Sequence, residues 1–434
     1  MATLLTAFSL AAQTSPKRPD TKKTAAEQPA AVALSGAQQA IDRQDYATAV
    51  TLLENFLLEH PGEVEALFNL AYAYSLLGRT ADAIDMYGQT LEVDPKLFAA
   101  HLNLGVLLIE AEKPTAAAAE LKRALELEPD NYRAHFSTAV ALERLGKKQE
   151  ALAHYRRAAA LDPTRTEPRR AVLELLLEKE DWEEAQTALQ ELLALEPRDP
   201  ELLRLGSDLL LRQGKDEKAL AAYEDYLAVQ PEDAAIHLQV GRLYREQGKA
   251  EEALRHFRAA EKNSPSPGSA DPTAELSVRE QADTLAALER WSEAIPLYRR
   301  TLAREPGDAE LHAALGYAYL KERRFESAIR ELLATLKLDP KNVEAYNHLA
   351  SALYLSGNRP GAIQILDRRA ALAEETLGTL FLRAMSYDEL KQCAPAITYY
   401  EKFLALNRST QSDQYFQATA RLRRLKKTCR QRRR

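Results

Sequence analysis

Prolines recur along this 434-residue chain at intervals of 34 residues. The series resumes in step after one offset of seven residues. Its members are Pro61, Pro95, Pro129, Pro163, Pro197, Pro231 and Pro265, followed by Pro272, Pro306 and Pro340. We call each of these the frame position of its repeat. A fixed period of this length predicts that one supersecondary unit is copied and stacked many times.

Three further positions repeat in step with the frame, and they extend it to Glu374 and Arg408. A small residue stands 24 residues before every frame position except in the fifth repeat, which has Leu173, and a large apolar residue stands eight before each. An alanine stands twelve before each: Ala49, Ala83, Ala117, Ala151, Ala185, Ala219, Ala253, Ala294, Ala328, Ala362 and Ala396. Small residues opposite large ones indicate closely crossing helices. We therefore expect a wider crossing or a local shift around Leu173.

Apolar residues between these positions recur at spacings of three and four, so each repeat is expected to form two amphipathic helices. The frame proline ends the second helix. With only 16 glycines and two cysteines, the chain does not resemble a sandwich of short strands or a disulfide-dense scaffold. The predicted fold class is all-α.

Two segments show the repeat most clearly: FNLAYAYSLLGRTADAIDMYGQTLEVDP and LQVGRLYREQGKAEEALRHFRAAEKNSP. Their order of small residue, aromatic, glycine, alanine, aromatic and closing proline resembles the tetratricopeptide repeat (TPR) family. The resemblance covers eleven units. It implies a right-handed superhelical solenoid of antiparallel helix pairs, in which the first helices line a concave groove for peptide or protein partners.

The frame divides the chain into five segments. Residues 1–29 form a leader and linker, 30–267 hold units 1–7, 268–274 form a loop insertion, 275–410 hold units 8–11, and 411–434 form a basic capping helix and tail. The insertion is rich in proline, glycine and serine, as loops are. It is either a hinge between two blocks of repeats or a surface loop without that role.

The leader contains a nine-residue apolar run, Leu4 to Ala12, that ends in small residues. It resembles the hydrophobic part of a secretory signal, although no basic residue precedes it. We expect a periplasmic or otherwise exported protein. The alternatives are a truncated start and a disordered leader on a cytoplasmic protein.

Export bears on the two cysteines. Cys393 lies at the start of the last repeat's second helix and Cys429 near the far end of the capping helix. Antiparallel packing would bring both to the same edge. We predict a disulfide between them, with two independent free thiols as the alternative.

Charge is unevenly distributed around the total of −6. Residues 411–434 carry seven arginines and two lysines against Asp413, whereas residues 30–410 carry a net charge of −16. Such an acidic body argues against a polyphosphate-binding surface. The basic end could bind RNA or anionic lipid, but a solvated end that complements the acidic body is the simpler interpretation, so no nucleic acid partner is expected.

No catalytic, cofactor or metal site is expected. His101, His135, His237 and His312 share one slot, but a full repeat separates them, which is too far for shared metal coordination. We interpret them as structural. The chain has no GxGxxG motif, no Walker-type lysine loop and no nucleophile elbow, and we predict that it is not an enzyme.

In the TPR family, groove residues flank the small residue of the first helix. The resemblance thus assigns an apolar floor to units two to four: Phe68, Asn69, Tyr72, Leu102, Asn103, Val106, Phe136 and Val140. Units five to eight present a mixed charged stretch: Arg170, Glu174, Arg204, Asp208, Arg242, Arg279 and Asp283. The last units present Tyr317, Asn347, Tyr354, Phe381 and Met385. The alternative is that some of these side chains pack against neighbouring first helices.

Asn69 and Asn103 resemble the asparagine ladder with which some TPR grooves hold a peptide backbone. The predicted function is a non-catalytic scaffold that binds peptide or helical segments of partner proteins, and assembly of an envelope complex is the process in which we expect it to act. Two alternatives stay open. One is a non-catalytic subunit that supports a glycosyltransferase or peptidase on another chain, and the other is association of the basic C-terminus with RNA or an anionic membrane.

Overall fold

A computed structural model describes residues 28–264, 272–407 and 412–431. Across these ranges the chain forms 23 α-helices and no strand. In chain order they are α1 Gln28–Asp42, α2 Tyr46–Glu59, α3 Val64–Leu76, α4 Thr80–Val93, α5 Phe98–Glu110, α6 Pro114–Leu127, α7 Tyr132–Arg144, α8 Lys148–Leu161, α9 Glu167–Glu178, α10 Trp182–Leu195, α11 Pro200–Arg212, α12 Asp216–Val229, α13 Ala234–Glu246, α14 Ala250–Asn263, α15 Thr273–Ala287, α16 Trp291–Arg304, α17 Ala309–Lys321, α18 Phe325–Leu338, α19 Val343–Leu355, α20 Arg359–Ala370, α21 Leu377–Glu389, α22 Cys393–Leu406 and α23 Asp413–Gln431. Odd-numbered helices up to α21 are the first helices of the eleven repeats, and even-numbered helices are the second.

The chain separates into two compact units, Met1–Lys215 and Asp216–Arg434. From here on, the first unit and the second unit mean these two parts, and each 34-residue element is called a repeat. Within each unit, consecutive helices pack against one another, which confirms the predicted all-α array of helix pairs. The boundary between the units falls inside the sixth repeat, between its two helices. The predicted insertion at 268–274 lies mostly outside the described residues, and its role as a hinge stays a prediction. The leader, including the apolar run from Leu4 to Ala12, also lies outside them.

The alternation of small and large residues is the packing rule of the repeat. All eleven alanines of the series have no exposed surface. A methyl group added to Gly105 would lie 2.5 Å from Leu121 Cγ, and one added to Gly241 would lie 2.5 Å from Phe257 Cε1. The large side chain therefore occupies the space that the missing Cβ leaves, which allows the two helices of a repeat to cross closely.

The fifth repeat departs from this rule at Leu173, which is buried. Its helices α9 and α10 contact each other less extensively than the two helices of each of the first four repeats. This looser contact agrees with the wider crossing that is expected where a leucine replaces a small residue.

Every turn between the two helices of a repeat contains one residue with a positive φ angle, in the left-handed region of backbone conformation. Five of these turns use glycine: Gly78, Gly146, Gly214, Gly248 and Gly357. The other six use a side-chain-bearing residue: Gln44, Glu112, Glu180, Glu289, Arg323 and Lys391. The turn geometry is therefore constant along the chain although its sequence is not.

Helix α23 covers the end of the last repeat. Its Ala418, which lies 34 residues after Ala384, is fully buried, and Leu425 is buried beside it. The structure contains a disulfide between Cys393 and Cys429. Arg421 donates to the buried carboxylate of Asp388 at 3.0 Å. These contacts fix the helix at its centre and near its C-terminal end.

Candidate functional site

Most of the predicted apolar floor in the first unit is buried. The ring of Phe68 packs edge-on against Tyr87 with centroids 5.5 Å apart, and Phe136 packs in the same way against Tyr155 at 5.4 Å. Leu102 has no exposed surface and Val106 is also buried. These side chains belong to the core, which is the alternative that the sequence left open. Tyr72 and Val140 are half-buried, as surface residues of a groove would be.

The two asparagines of the proposed ladder are also buried, and both make hydrogen bonds within the chain. Asn103 Nδ2 donates to Tyr87 Oη at 3.0 Å, and Asn69 Nδ2 lies 3.5 Å from Gln38 Oε1. Burial raises the pKa of Tyr87, whose hydroxyl stays neutral. The Asn103 amide therefore links the first helix of the third repeat to the second helix of the repeat before it.

The predicted charged stretch consists partly of ion pairs between neighbouring helices. In the first unit Arg170 donates to Glu196 and Asp199, and burial raises the pKa of Glu174. Arg204 is exposed and Asp208 is half-buried. Asp199 also caps α11, because its carboxylate accepts from the backbone N–H groups at the start of that helix.

The second unit continues this pattern. Arg242 and Arg245 both donate to Glu280, and Arg279 donates to Asp308 at 3.0 Å. Burial raises the pKa of Asp283, although the hydroxyl of Tyr298 donates to its carboxylate. These pairs connect first helices of successive repeats, so much of the charge is already neutralised within the chain.

A row of half-buried aromatic side chains lies on the second unit. The rings of Tyr317 and His348 are 4.4 Å apart, and the rings of Trp291 and Tyr317 are 5.5 Å apart. The Lys321 ammonium group lies 5.3 Å from the Tyr317 ring and 5.8 Å from the Trp291 ring. We call Trp291, Tyr317 and His348 the aromatic row. It joins three successive repeats.

Sequence reasoning identified Tyr317 but missed the other two members. His348 occupies the slot that Asn69 and Asn103 hold in their repeats, so reading that slot through all units would have found it. Trp291 begins a second helix and is brought to the row by the preceding turn. Burial lowers the pKa of His348, which favours the neutral ring.

The remaining predicted residues of the last repeats make contacts within the chain. The amide oxygen of Asn347 accepts from buried Arg369 at 3.1 Å, and the hydroxyl of Tyr354 donates to Glu389 at 2.5 Å. Phe381 packs in the cluster under α23, with half-buried Met385 at its edge.

The four histidines of the shared slot have one common role. Each places Nε2 within 3.3 Å of the carbonyl oxygen of the frame proline six residues earlier. Each also places Nδ1 within 3.0 Å of a histidine nitrogen or glutamate oxygen on the side chain 19 residues later.

The described residues contain no cluster of His, Cys, Asp or Glu suited to a metal ion. Among those residues, no helix has the length and apolarity needed to span a bilayer.

Family models described as tetratricopeptide repeat match most of the chain. One matches residues 102–166, 174–228, 205–267 and 313–374, a second matches 40–104 and 285–337, and a third matches 379–410. The first of these alone spans about half of the sequence.

Individual relatives are distant or short. The human WD and tetratricopeptide repeats protein 1 is 31% identical over 111 residues, which are 24% of this chain and 16% of that protein. The solved structure of YrrB, described as a TPR protein with an unusual peptide-binding site, is 20% identical, with a TM-score of 0.39 over 44% of this chain and 96% of YrrB. A tetratricopeptide repeat protein from Parabacteroides merdae is 18% identical, with a TM-score of 0.39 over 58% of this chain and 99% of its own. At these scores the two structures bear on neither the partner nor the site.

Proposed function

Because the chain belongs to the tetratricopeptide repeat family, we propose that it is a non-catalytic scaffold that binds a peptide or helical segment of a partner protein on its first helices. The aromatic row is the observation that supports this proposal most directly. Half-buried Trp and Tyr side chains offer a large contact area at a low entropic cost, and they are enriched among residues that dominate binding energy.

The row also favours one kind of partner segment. Its rings are spaced along successive repeats, so that an extended or helical segment can contact them in turn. Lys321 adds a positive charge at the same surface. A partner segment with apolar side chains and a nearby carboxylate would match both features.

Proximity labelling of partners, followed by mass spectrometry, tests the proposal. We expect the variant Tyr317→Ser with His348→Ser to lose partners that the wild type labels. Phe416→Ser is the matched control, because Phe416 is an exposed aromatic residue on α23, outside the row. An unchanged set of partners in the double variant would contradict the assignment of the row. A glycosyltransferase or peptidase among the lost partners would indicate that the scaffold supports an enzyme on another chain.

Tyr72 and Val140 mark the corresponding surface proposed in the first unit. A parallel variant, Tyr72→Arg, tests that unit separately. Since Tyr72 is half-buried and Val106 is buried, a charge at Tyr72 disturbs folding less than one at Val106.

Export to the periplasm or another oxidising compartment is part of the proposal. It rests on the apolar run from Leu4 to Ala12 and on the disulfide, because disulfides persist mainly in oxidising compartments. Alkylation of protein taken directly from its native compartment tests it. Modification of both Cys393 and Cys429 without prior reduction would contradict export.

The basic end supports the RNA or anionic-membrane alternative less well. Arg421 and Arg424 lie against Asp388, and Lys426 lies 2.6 Å from Glu401. Part of the positive charge is therefore neutralised within the chain.

A further inference from the structure

Side chains on neighbouring first helices pair by one rule along the array. The residue that stands 23 before a frame position contacts the residue that stands 26 before the next frame position. Three contacts follow this rule: Gln38 with Asn69, Arg242 with Glu280, and Tyr317 with His348. Both slots flank the small residue of the first helix, so they belong to the surface that the proposed function assigns to the partner. The rule therefore shows which side chains of that surface already have a partner within the chain.

The same rule leaves Asp283 without a polar partner on the next first helix. The residue that stands opposite it, 26 before the next frame position, is Ala314. Ala313 and Ala314 are half-buried, and the ninth repeat alone has alanine in both of these slots. A methyl group offers neither a charge nor a hydrogen bond. Two adjacent alanines also leave room beside the carboxylate for a side chain from another molecule.

The arginines near Asp283 donate to other carboxylates. Three of them lie on the same two first helices, α13 and α15, and their pairs are Arg242 and Arg245 with Glu280, and Arg279 with Asp308. In the described part of the second unit, Asp283 forms no ion pair. Its Oδ1 accepts from the hydroxyl of Tyr298 at 2.8 Å. A tyrosine hydroxyl is neutral, so the carboxylate has a hydrogen bond but no counterion in contact with it.

A half-buried carboxylate without a counterion is electrostatically unfavourable. Burial raises the pKa of Asp283, which means that its surroundings disfavour the charged form. A partner segment that covered Asp283 with apolar atoms would remove the remaining water and increase this penalty. A segment that places a positive charge there would instead form a charge-assisted hydrogen bond in a drier site. The surface thus favours a basic side chain at this point and disfavours an apolar or acidic one.

We propose that Asp283 pairs with a lysine or arginine of the partner segment that the aromatic row binds. This inference rests on the proposed function and adds a charge requirement to it. The aliphatic part of the basic side chain lies over Ala313 and Ala314, and its charged end reaches the second carboxylate oxygen of Asp283.

The repeat also sets the spacing of the two contacts along the partner. Asp283 and Tyr317 hold the same slot in successive repeats. Packed helices of this kind lie about 8–10 Å apart. The basic residue and the apolar residue on Tyr317 are therefore about three positions apart in a polyproline II segment, or about seven apart in a helix.

Selection from a phage-displayed random peptide library on the full chain tests the charge requirement. We expect lysine or arginine at one fixed position in most peptides selected on the wild type, and at a frequency at least threefold lower on Asp283→Asn. The variant keeps an oxygen that accepts from Tyr298, so it should fold. Glu246→Gln, an exposed carboxylate on α13, is the matched control and should select the same peptides as the wild type. Equal frequencies on the wild type and Asp283→Asn would overturn the proposal.

A binding cycle with one selected peptide tests the pairing itself. Replacing the basic residue of the peptide by glutamine should weaken binding at least tenfold to the wild type and less than threefold to Asp283→Asn, measured by fluorescence anisotropy. An equal loss in both proteins would refute the pairing, even where the peptide binds.

Tyr317→Ser with His348→Ser separates this result from the proposed function. Loss of the selected peptide in that variant supports the aromatic row. Unchanged binding would contradict the row and leave the pairing of Asp283 intact, whereas a wild type that selects no peptide would contradict both.

Discussion

The Nδ1 atoms of His135 and His154 lie 2.9 Å apart, so one of the two rings must donate a proton to the other. His135 Nε2 donates to the carbonyl of Pro129 at 2.8 Å. The neutral His135 ring therefore accepts at Nδ1, and His154 donates. His237 and His256 repeat this arrangement at 3.0 Å in the seventh repeat. Protonating both rings of either pair would bring two positive charges into contact.

The histidine pairs predict a loss of stability in mild acid. Burial lowers the pKa of His154 and lowers that of His256 to about 4. Because an unfolded histidine titrates near 6.5, the unfolded chain binds more protons between about pH 6.5 and 4. The stability is complete above this window and is lost as the pH falls through it. We expect the free energy of unfolding to fall by about 1–2 kcal/mol through the His237–His256 pair, and to fall further through the His135–His154 pair, measured by urea denaturation at pH 7.5 and pH 5.

A double variant isolates this contribution from other acid effects. His154→Glu with His256→Glu would recreate the His–Glu pairs seen at Glu120 and Glu331, and it would remove the buried second ring from each histidine pair. The variant should retain more of its stability at pH 5 than the wild type. His60→Gln is the control, because His60 is exposed and lies outside these pairs. An equal loss in wild type and double variant would argue against the pairs as its source.

Gly105 and Gly88 should respond oppositely to replacement by alanine. A Cβ at Gly105 would meet Leu121, so Gly105→Ala should overpack the helix crossing and cost about 1–3 kcal/mol. A Cβ at Gly88, inside α4, meets nothing within 4 Å, so Gly88→Ala should stabilise the helix by about 0.5–1 kcal/mol. Thermal denaturation followed by circular dichroism measures both. Equal shifts in the two melting temperatures would show that packing at Gly105 is not limiting.

The sequence predicts the repeat but not every surface. The alanine series and the pairing of Gly105 with Leu121 follow from residues within one repeat, whose separation is constant. The position of Phe68 cannot be read in this way, because the same helical face can point to the groove or into the core. In the structure its ring packs on Tyr87, on the other helix of the same repeat. The aromatic row depends instead on contacts between repeats, such as that of Tyr317 with His348.

The turns between helices predict a backbone effect that is separate from packing. Gly78 has φ of 71°, and a Cβ added there would meet no atom within 4 Å. Gly78→Ala should therefore destabilise the protein by about 1 kcal/mol through the left-handed conformation alone. Glu289 has φ of 57° in the equivalent turn, so Glu289→Gly should be neutral or stabilising by about 0.5 kcal/mol. Chemical denaturation measures both variants, and a large loss in Glu289→Gly would show that its side chain has another role.

Reduction of the disulfide should release one end of α23 and leave the other in place. The bond between Cys393 and Cys429 closes a loop with a sequence separation of 36, for which chain entropy predicts a contribution of about 3–4 kcal/mol. Arg421 donates to Asp388 at 3.0 Å and buried Ala418 packs on the last repeat, and neither contact involves the two cysteines. Hydrogen exchange with and without a reductant should therefore show faster exchange from Leu425 to Cys429 and little change from Tyr415 to Arg421. Cys393→Ser with Cys429→Ser should reproduce the reduced pattern, with α13 in the same unit as the unaffected reference. Uniform exchange along α23 after reduction would mean that the disulfide, and not the packing around Asp388, holds the whole helix.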